Sequence, residues 1–223
     1  MSTIEPLPTL LISGRARSGK NTLATKLSTH LLTLEVALAD GVREQALALD
    51  PLIHVPTNLS ICDRRDPTRR STAMRPGDYP LSTLVETYGW EEVKRLPAVR
   101  RLLQRLGTEA GFVFWGDPGL WVDRMVENVR VALEQTETRP ELLVVTDVRM
   151  THEWERLVSH PLLNCRHVHL VRPQSETLSG DAATHRSEAE LERLGGDADL
   201  RLVNDGDPED LVNPVLQLLA DRR

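Results

Sequence analysis

Short apolar runs alternate along this chain with longer segments in which apolar residues recur every three or four positions. The apolar runs predict strands at 10–13, 34–39, 142–146, 165–171 and 200–203. The periodic segments predict helices just after residue 19 and at 41–49, 81–88, 90–96, 98–111, 118–135, 151–159, 187–194 and 208–220. Strands alternating with helices indicate an α/β fold, a parallel sheet with helices on both faces. Residues 51–80 hold five prolines and predict a long surface excursion.

The segment after the first predicted strand has the spacing of a phosphate-binding loop. Gly14, four residues, Gly19 and Lys20 stand between a strand and a helix. Glycines let successive backbone N–H groups turn towards one anion, and the following helix adds the positive end of its dipole. We expect Lys20 to reach the outer phosphates of a nucleoside triphosphate and, without a ligand, to point into solvent within the loop. The predicted contacts are Gly14, Arg17, Ser18, Gly19, Lys20, Asn21 and Thr22, with Asn21 where Ser or Thr is usual.

Charged residues follow the strand predicted at 142–146. Ligands of parallel sheets bind beyond the carboxyl ends of the strands, so Asp147 and Arg149 are candidates for chemistry. Asp147, with the hydroxyl of Thr22, is the predicted magnesium site, and a helix cap is the alternative for Asp147. Arg149 could grip a phosphoryl oxygen with two donors.

Two further strands also end in polar residues. Arg172 and Arg186 bracket a polar segment that predicts a lid at about 172–188, whose arginines could neutralise charge and exclude water. Asn204 ends the last predicted strand; a turn is certain there, and contact with an adenine edge is the functional alternative.

Acceptor-side candidates lie in the middle of the chain. Asp40 is predicted to cap the helix at 41–49, and Arg43 could bind a phosphate or be a solvated charge. On the helix at 98–111, a polar stripe lies beside Gly107, whose missing side chain allows close approach of a ligand or backbone. Trp121 could stack on a base or belong to the core. The predicted substrate contacts so far are Asp40, Arg43, Arg100, Gln104, Thr108, Trp121 and Arg124.

Composition narrows the class of protein. A net charge of −6 gives no indication of electrostatic nucleic-acid binding. Cys62 and Cys165 lie outside any Cys-x-x-Cys spacing, which is typical of a reducing cytoplasm. Neither a membrane span nor a signal pattern is predicted. His167 and His169 alternate on one strand face, but no third ligand has metal spacing.

Together these segments resemble the bacteriophage deoxynucleoside monophosphate kinases. The similar segments are 13–22, 39–44, Leu103-Gln104-Arg105-Leu106-Gly107-Thr108-Glu109, Trp121-Val122-Asp123-Arg124, Thr146-Asp147-Val148-Arg149, and His185 with Ser187-Glu188. The resemblance implies a single three-layer P-loop kinase domain over 1–223, with an acceptor-side helical region at about 51–116. It implies ATP as donor, Mg²⁺ as cofactor, a deoxynucleoside 5′-monophosphate (dNMP) as acceptor, and a substrate contact for Glu188. A host cytoplasm follows if the protein is phage-encoded, and a homodimer is left open.

Three alternative functions stay open on the sequence alone. Animal phosphomevalonate kinases are similar in the loop and in the strand-Asp-x-Arg segment, so a small-metabolite kinase is the first alternative. An ATPase or GTPase switch is the second, although the guanine-reading Asn-Lys-x-Asp is absent. A nucleotide-binding module without catalysis is the third.

Overall fold

The computed structural model describes residues 5–56, 60–61, 72–73, 75–173 and 186–221. Its strands are β1 (Leu7–Ser13), β2 (Thr33–Val36), β3 (Leu52–Val55), β4 (Ser60–Ile61), β5 (Thr72–Ala73), β6 (Gly77–Pro80), β7 (Leu142–Val145), β8 (Leu163–Val171) and β9 (Leu200–Val203). Its α-helices are α1 (Lys20–Leu27), α2 (Leu38–Leu49), α3 (Leu81–Tyr88), α4 (Trp90–Val93), α5 (Pro97–Gln104), α6 (Leu120–Gln135), α7 (Thr151–Val158), α8 (Arg186–Gly196) and α9 (Val212–Ala220). A π-helix spans Arg105–Trp115 and a 3₁₀ turn spans Pro208–Leu211.

The chain divides into two compact units, Met1–Leu38 with Val122–Arg223, and Ala39–Trp121. The first unit contains a five-stranded sheet in the order β2-β7-β1-β8-β9, in which every described pairing is parallel. β7 reads Leu-Leu-Val-Val and is buried throughout, the pattern of a parallel strand covered on both faces. The carboxyl ends of all five strands therefore meet at one edge, where ligands of such sheets bind.

Helices cover both faces of this sheet. Alternate residues of a strand point to opposite faces of the sheet. On one face, Leu11 and Leu143 pack against α6, α7 and α8. Their neighbours Leu10 and Val144 pack against α1 and α9. The first unit thus has three layers, as the alternation of strands and helices predicted.

The unit formed by residues 39–121 has its own core. β3 and β6 pair antiparallel, with Ile53 opposite Tyr79 and Val55 opposite Gly77. Ile53 and Val55 are buried against α3, α4 and α5. The prediction of a surface excursion over 51–80 is therefore wrong for β3, whose alternation of exposed and buried residues is that of a half-buried strand. Residues 57–59, 62–71 and 74 lie outside the described part of the chain.

The second strand is shorter than predicted. The expected strand 34–39 ends at Val36, and α2 begins at Leu38 rather than at Gly41. Asp40 therefore lies inside the first turn of α2 and does not cap it from outside, so that prediction is wrong. The apolar run 36–39 satisfies strand and helix patterns equally, and periodicity cannot place the boundary. Among the described residues, none of the helices is long and apolar enough to cross a membrane.

Candidate active site

The segment between β1 and α1 adopts a conformation that only glycine fits at two places. Gly14 has φ +140° and Gly19 has φ +104°, where other L-residues rarely occur. A Cβ at Gly14 would lie 2.4 Å from the carbonyl oxygen of Leu170, and one at Gly19 would lie 2.2 Å from Nδ2 of Asn204. The loop is thus packed tightly against β8 and the end of β9, which fixes its backbone before any ligand binds.

Two features of the loop, the side chain of Ser18 and the backbone of Arg17, suit the binding of an anion. Ser18 is fully buried, and its hydroxyl has no hydrogen-bond partner among the described residues. Arg17 has φ 65°, and left-handed residues of this kind help backbone N–H groups converge on an anion. Asn21 and Thr22 are exposed in the first turn of α1. Because native buried hydroxyls are usually hydrogen-bonded, Ser18 indicates a place for an acceptor atom of a ligand.

Lys20 does not point into solvent, so that prediction is wrong. It is 9% exposed, and its Nζ donates to the carbonyl oxygens of Gly14 at 2.7 Å and Arg15 at 2.8 Å. A buried ammonium needs acceptors, and the carbonyls of the loop supply them. The lysine therefore lies across the loop, where phosphate oxygens would offer it better acceptors than neutral carbonyls do.

Asn204 is part of the same cluster. Its backbone N–H donates to Val171 at 2.7 Å, and its buried amide Nδ2 donates to the carbonyl oxygen of Ser18 at 2.8 Å. Beside it, Arg172, Pro173, Asp205 and Gly206 line a small open pocket with Asn204. The side chain of Asn204 thus holds the loop, and the contact with an adenine edge stays a prediction.

Asp147 follows β7 at the same edge of the sheet as the loop, because β7 and β1 are parallel neighbours. It is half-buried, and its Oδ1 accepts the backbone N–H of Leu38 at 2.7 Å. That N–H begins α2, so the carboxylate lies at the positive end of the α2 dipole. The cap alternative is thus realised, but on α2 instead of on α7, the helix that follows Asp147 in the chain.

Glu153 supports the segment that carries Asp147 and Arg149, and the sequence did not suggest this role. Its Oε2 accepts the backbone N–H groups of Arg149 at 2.8 Å and Met150 at 2.9 Å. Burial raises the pKa of Glu153 to about 7, opposed by these two hydrogen bonds and reinforced by the charge of Asp147. A Glu three residues into a helix commonly reaches back in this way, so the position of Glu153 in α7 was the available signal. The guanidinium of Arg149 is exposed.

The side chains predicted to hold magnesium are of the chemical type that this ion prefers. Mg²⁺ prefers oxygen ligands and is usually held by one or two carboxylates, substrate phosphates and water. Thr22 and Asp147, the predicted pair, are oxygen donors next to an anion-binding loop. No cluster of three or more His, Cys, Asp or Glu side chains suited to a metal occurs in the described ranges.

The arginines of the predicted lid are only partly described. Arg172 is exposed directly after β8. Arg186 is the first residue of α8, and its side chain and that of Glu188 lie outside the described part of the chain, as does all of 174–185.

In the 39–121 unit, two predicted acceptor contacts pair with each other. Arg43 donates to Oδ1 of Asp40 at 2.8 Å, one turn apart on α2. About a third of the Arg43 side chain is exposed. The phosphate contact predicted for Arg43 stays a prediction, because its guanidinium already has Asp40 as a partner.

Arg100, Gln104 and Thr108 are all exposed, but on two kinds of helix. The α-helix ends at Gln104 and continues as a π-helix, which α-helical periodicity did not predict. Gly107 is not needed for close packing here, since an added Cβ would lie 3.7 Å from Val42, an ordinary contact. π-Helical turns occur frequently at functional sites.

Trp121 is tied to this π-helix. Its indole N–H donates to the carbonyl oxygen of Gly107 at 3.0 Å, and the ring is half-buried. One turn along α6, Arg124 is exposed. Asp123 between them forms an ion pair with Arg156. In the Trp-Val-Asp-Arg segment, Trp121 therefore bonds to the π-helix, Asp123 pairs with α7, and Arg124 is exposed.

Comparison with known proteins gives one family. A family profile described as deoxynucleotide monophosphate kinase matches residues 85–215, more than half of the chain. No curated protein matches the sequence.

Several solved structures are similar to this chain, among them two described as kinases. Dephospho-CoA kinase from Campylobacter jejuni is 13% identical, covers 96% of this chain and 98% of its own, and has a TM-score of 0.44. Shikimate kinase from Acinetobacter baumannii in complex with shikimate is 14% identical, with coverages of 99% and 97% and a TM-score of 0.43. TT1252 from Thermus thermophilus is 18% identical, with coverages of 98% and 99% and a TM-score of 0.43.

Proposed function

The chain belongs to the deoxynucleotide monophosphate kinase family, has the P-loop kinase fold and is a phosphotransferase, and from that premise we propose that it transfers the γ-phosphoryl group of ATP to a dNMP. The products are ADP and the deoxynucleoside diphosphate. The observation that carries the proposal is the loop around Lys20. Its glycines are sterically required, its lysine is buried across it, and the buried hydroxyl of Ser18 faces no partner in the described structure.

On the donor side, the loop binds the phosphates of ATP. Backbone N–H groups of the loop and the Nζ of Lys20 contact the β- and γ-phosphates, with Gly14, Arg17, Ser18, Gly19 and Asn21 shaping or touching that cradle. The pocket beside Asn204 receives the adenine edge. Mg²⁺ is held by Thr22 and Asp147, and when bound it neutralises phosphate charge.

The transfer needs alignment more than covalent chemistry. An oxygen of the acceptor phosphate attacks the γ-phosphorus, a new P–O bond forms, and the bond to the β–γ bridging oxygen breaks, leaving that oxygen on ADP. The acceptor oxygen is already anionic, so no general base is required. Arg149, Arg172 and Arg186 stabilise the charge of the transferring group, and the enzyme contributes position and charge.

On the acceptor side, we propose that the dNMP contacts polar residues of the 39–121 unit. Arg43, oriented by Asp40, and Arg100 bind its phosphate. Gln104 and Thr108 read polar edges of the base, because an amide offers both a donor and an acceptor. Further acceptor contacts are proposed for Trp121, Arg124 and Glu188.

The test is ADP release from ATP with each of the four dNMPs, the four ribonucleotides and mevalonate 5-phosphate, and without acceptor. We expect release to depend on at least one dNMP. Release confined to mevalonate 5-phosphate would replace this function with that of a small-metabolite kinase. Release that is equal without any acceptor would identify an ATPase.

Gln104→Ala tests the acceptor side separately. Leaving a base edge unpaired should weaken the acceptor by about 1–3 kcal/mol, which raises its KM roughly 5- to 150-fold. The KM for ATP should barely change. Gln217→Ala, an exposed glutamine on α9, is the matched control. If Gln104→Ala and the control have the same acceptor KM, Gln104 does not read the base.

A further inference from the structure

Three polar side chains are buried beneath the phosphate-binding loop, on the face of the sheet covered by α6, α7 and α8. Ser13, the last residue of β1, is fully buried, and His167 and His169 on β8 are 2% and 7% exposed. The Oγ of Ser13 lies 2.7 Å from Nε2 of His167 and 2.8 Å from Nδ1 of His169. Ser13 and His169 are also register partners in the β1–β8 ladder. This Ser13–His167–His169 cluster directly precedes Gly14.

Such a cluster is unexpected on this face of the sheet. The preceding inward residues of β1 and β7 are mostly apolar, among them Leu11, Leu143 and Val145. Buried polar groups cost free energy unless their hydrogen bonds are made. Burial lowers the pKa of His169 and lowers that of His167 to about 4. Both imidazoles are therefore neutral at pH 7, and the hydroxyl of Ser13 can donate to one and accept from the other.

The ring of His169 is held on its other side by α8. A Cβ placed on Gly195 would lie 3.0 Å from both Cδ2 and Nε2 of His169, closer than nearly all real contacts. The absence of a side chain at Gly195 is what lets α8 approach the ring. The same helix reaches the loop a second time, through Glu192, whose carboxylate pairs with Arg15 at 3.1 Å.

We infer that His169 is a positioning residue for ATP binding, which holds the start of the phosphate-binding loop in place by lying between Ser13 and Gly195. This inference rests on the proposed function. The orientation of the loop N–H groups depends on where β1 ends, and Ser13 is that point. A small displacement there turns the amides away from the phosphates while leaving the rest of the sheet intact.

Two glycines on α8 separate this role from simple core packing. Gly195 is buried against His169, whereas a Cβ on its neighbour Gly196 would meet nothing within 4 Å. Neither has a left-handed φ, so alanine fits the backbone at both and raises helix propensity at both. The two variants Gly195→Ala and Gly196→Ala therefore differ mainly in whether the new methyl group contacts the imidazole of His169.

The experiment measures the Kd of each variant for ATP by calorimetry, well below the unfolding temperature. We expect Gly195→Ala to bind ATP at least about tenfold more weakly than Gly196→Ala, because even a displacement of about 1 Å at a site that depends on alignment can cost about 100-fold. The KM for the dNMP should be unchanged. Equal ATP Kd values for the two variants would overturn the inference.

Substitution of His169 itself supplies a second readout. His169→Asn keeps a polar atom near the position of Nδ1, whereas His169→Leu removes one of the two hydrogen-bond partners of Ser13 and leaves only His167. We expect His169→Leu to raise the Kd for ATP at least about tenfold, whereas the Kd of His169→Asn should stay within about threefold of wild type. An equal rise of the ATP Kd in the two variants, or a wild-type Kd in His169→Leu, would contradict a positioning role. If the wild-type protein binds ATP but phosphorylates no dNMP, the proposed acceptor is wrong, and these ATP measurements still decide the role of His169.

Discussion

Lys20 has a different environment in the unliganded loop from the one its sequence position indicated. The spacing correctly placed a lysine at the start of α1, but its two carbonyl acceptors depend on a backbone path that spacing alone does not specify. Under the proposed function, the phosphate oxygens of ATP replace these carbonyls as acceptors.

Lys20→Met is expected to lower kcat by about 10²- to 10⁴-fold, because a charge that stabilises the transition state is lost. The fold should survive, since Met fills the same space and removes a buried charge, although the carbonyl oxygens of Gly14 and Arg15 lose this donor. Lys26→Met is the matched control, as Lys26 lies on the same helix but pairs with Glu209 at the surface. Steady-state kinetics and a thermal melt measure both variants. Near-wild-type turnover of folded Lys20→Met would remove the lysine from the mechanism.

Glu153 gives the second prediction at this scale, through pH. Its pKa is about 7 in the folded protein, above the ordinary 4.5 of a glutamate in the unfolded chain, so protonation favours the folded state. Its contribution to stability is complete below pH 4.5 and is lost as the pH rises through 7. One oxygen, Oε2, accepts both N–H groups, and glutamine offers one such neutral oxygen.

We therefore expect Glu153→Gln to melt at a higher temperature than wild type at about pH 8, and the difference to shrink towards about pH 5. The buried His167 titrates in the opposite sense, but it is present in both proteins and cancels in the difference. Thermal unfolding from pH 5 to 8 measures this. A difference between the two proteins that does not vary with pH would contradict the assignment.

At the scale of elements, the boundary between β2 and α2 shows what the sequence pattern lacks. Residues 36–39 are apolar in either conformation, and the start of α2 at Leu38 is fixed by a carboxylate far away in the chain, Asp147. The π-helix after Gln104 is similar, since its register is held by Trp121 donating to Gly107. Hydrogen bonds between distant residues of this kind help to set helix ends, and such ends cannot be predicted from local hydrophobic periodicity.

Asp147→Asn separates the observed hydrogen bond to the start of α2 from the proposed magnesium site. Asn keeps an Oδ1 that can accept from Leu38, so α2 should lose only the interaction of a negative charge with its dipole, about 0.3–1 kcal/mol. The magnesium requirement should rise and kcat should fall, while ATP still binds through the loop. A magnesium titration of activity, beside a thermal melt, measures both. An unchanged titration with a lowered melting temperature would leave Asp147 as a helix cap alone.

At the scale of the whole molecule, the sequence predicted the parallel sheet, its helices and the position of the loop correctly. Continuous apolar strands and a glycine-bounded loop are local signals, and β7 and β1 display them plainly. The sequence predicted one domain with an acceptor-side region at about 51–116, and the 39–121 unit extends beyond that range to the beginning of α2 and α6. Ser13, His167 and Glu153 were also missed as supports, since their roles arise from contacts across the fold.

The central claim is that the γ-phosphoryl group of ATP ends on a dNMP. The most direct measurement follows ³²P from [γ-³²P]ATP by chromatography after incubation with each dNMP and Mg²⁺. We predict that the label appears in a deoxynucleoside diphosphate with the wild-type protein and is nearly absent with Lys20→Met. Label found only in inorganic phosphate, or in no dNMP product while ATP is consumed, would contradict the account.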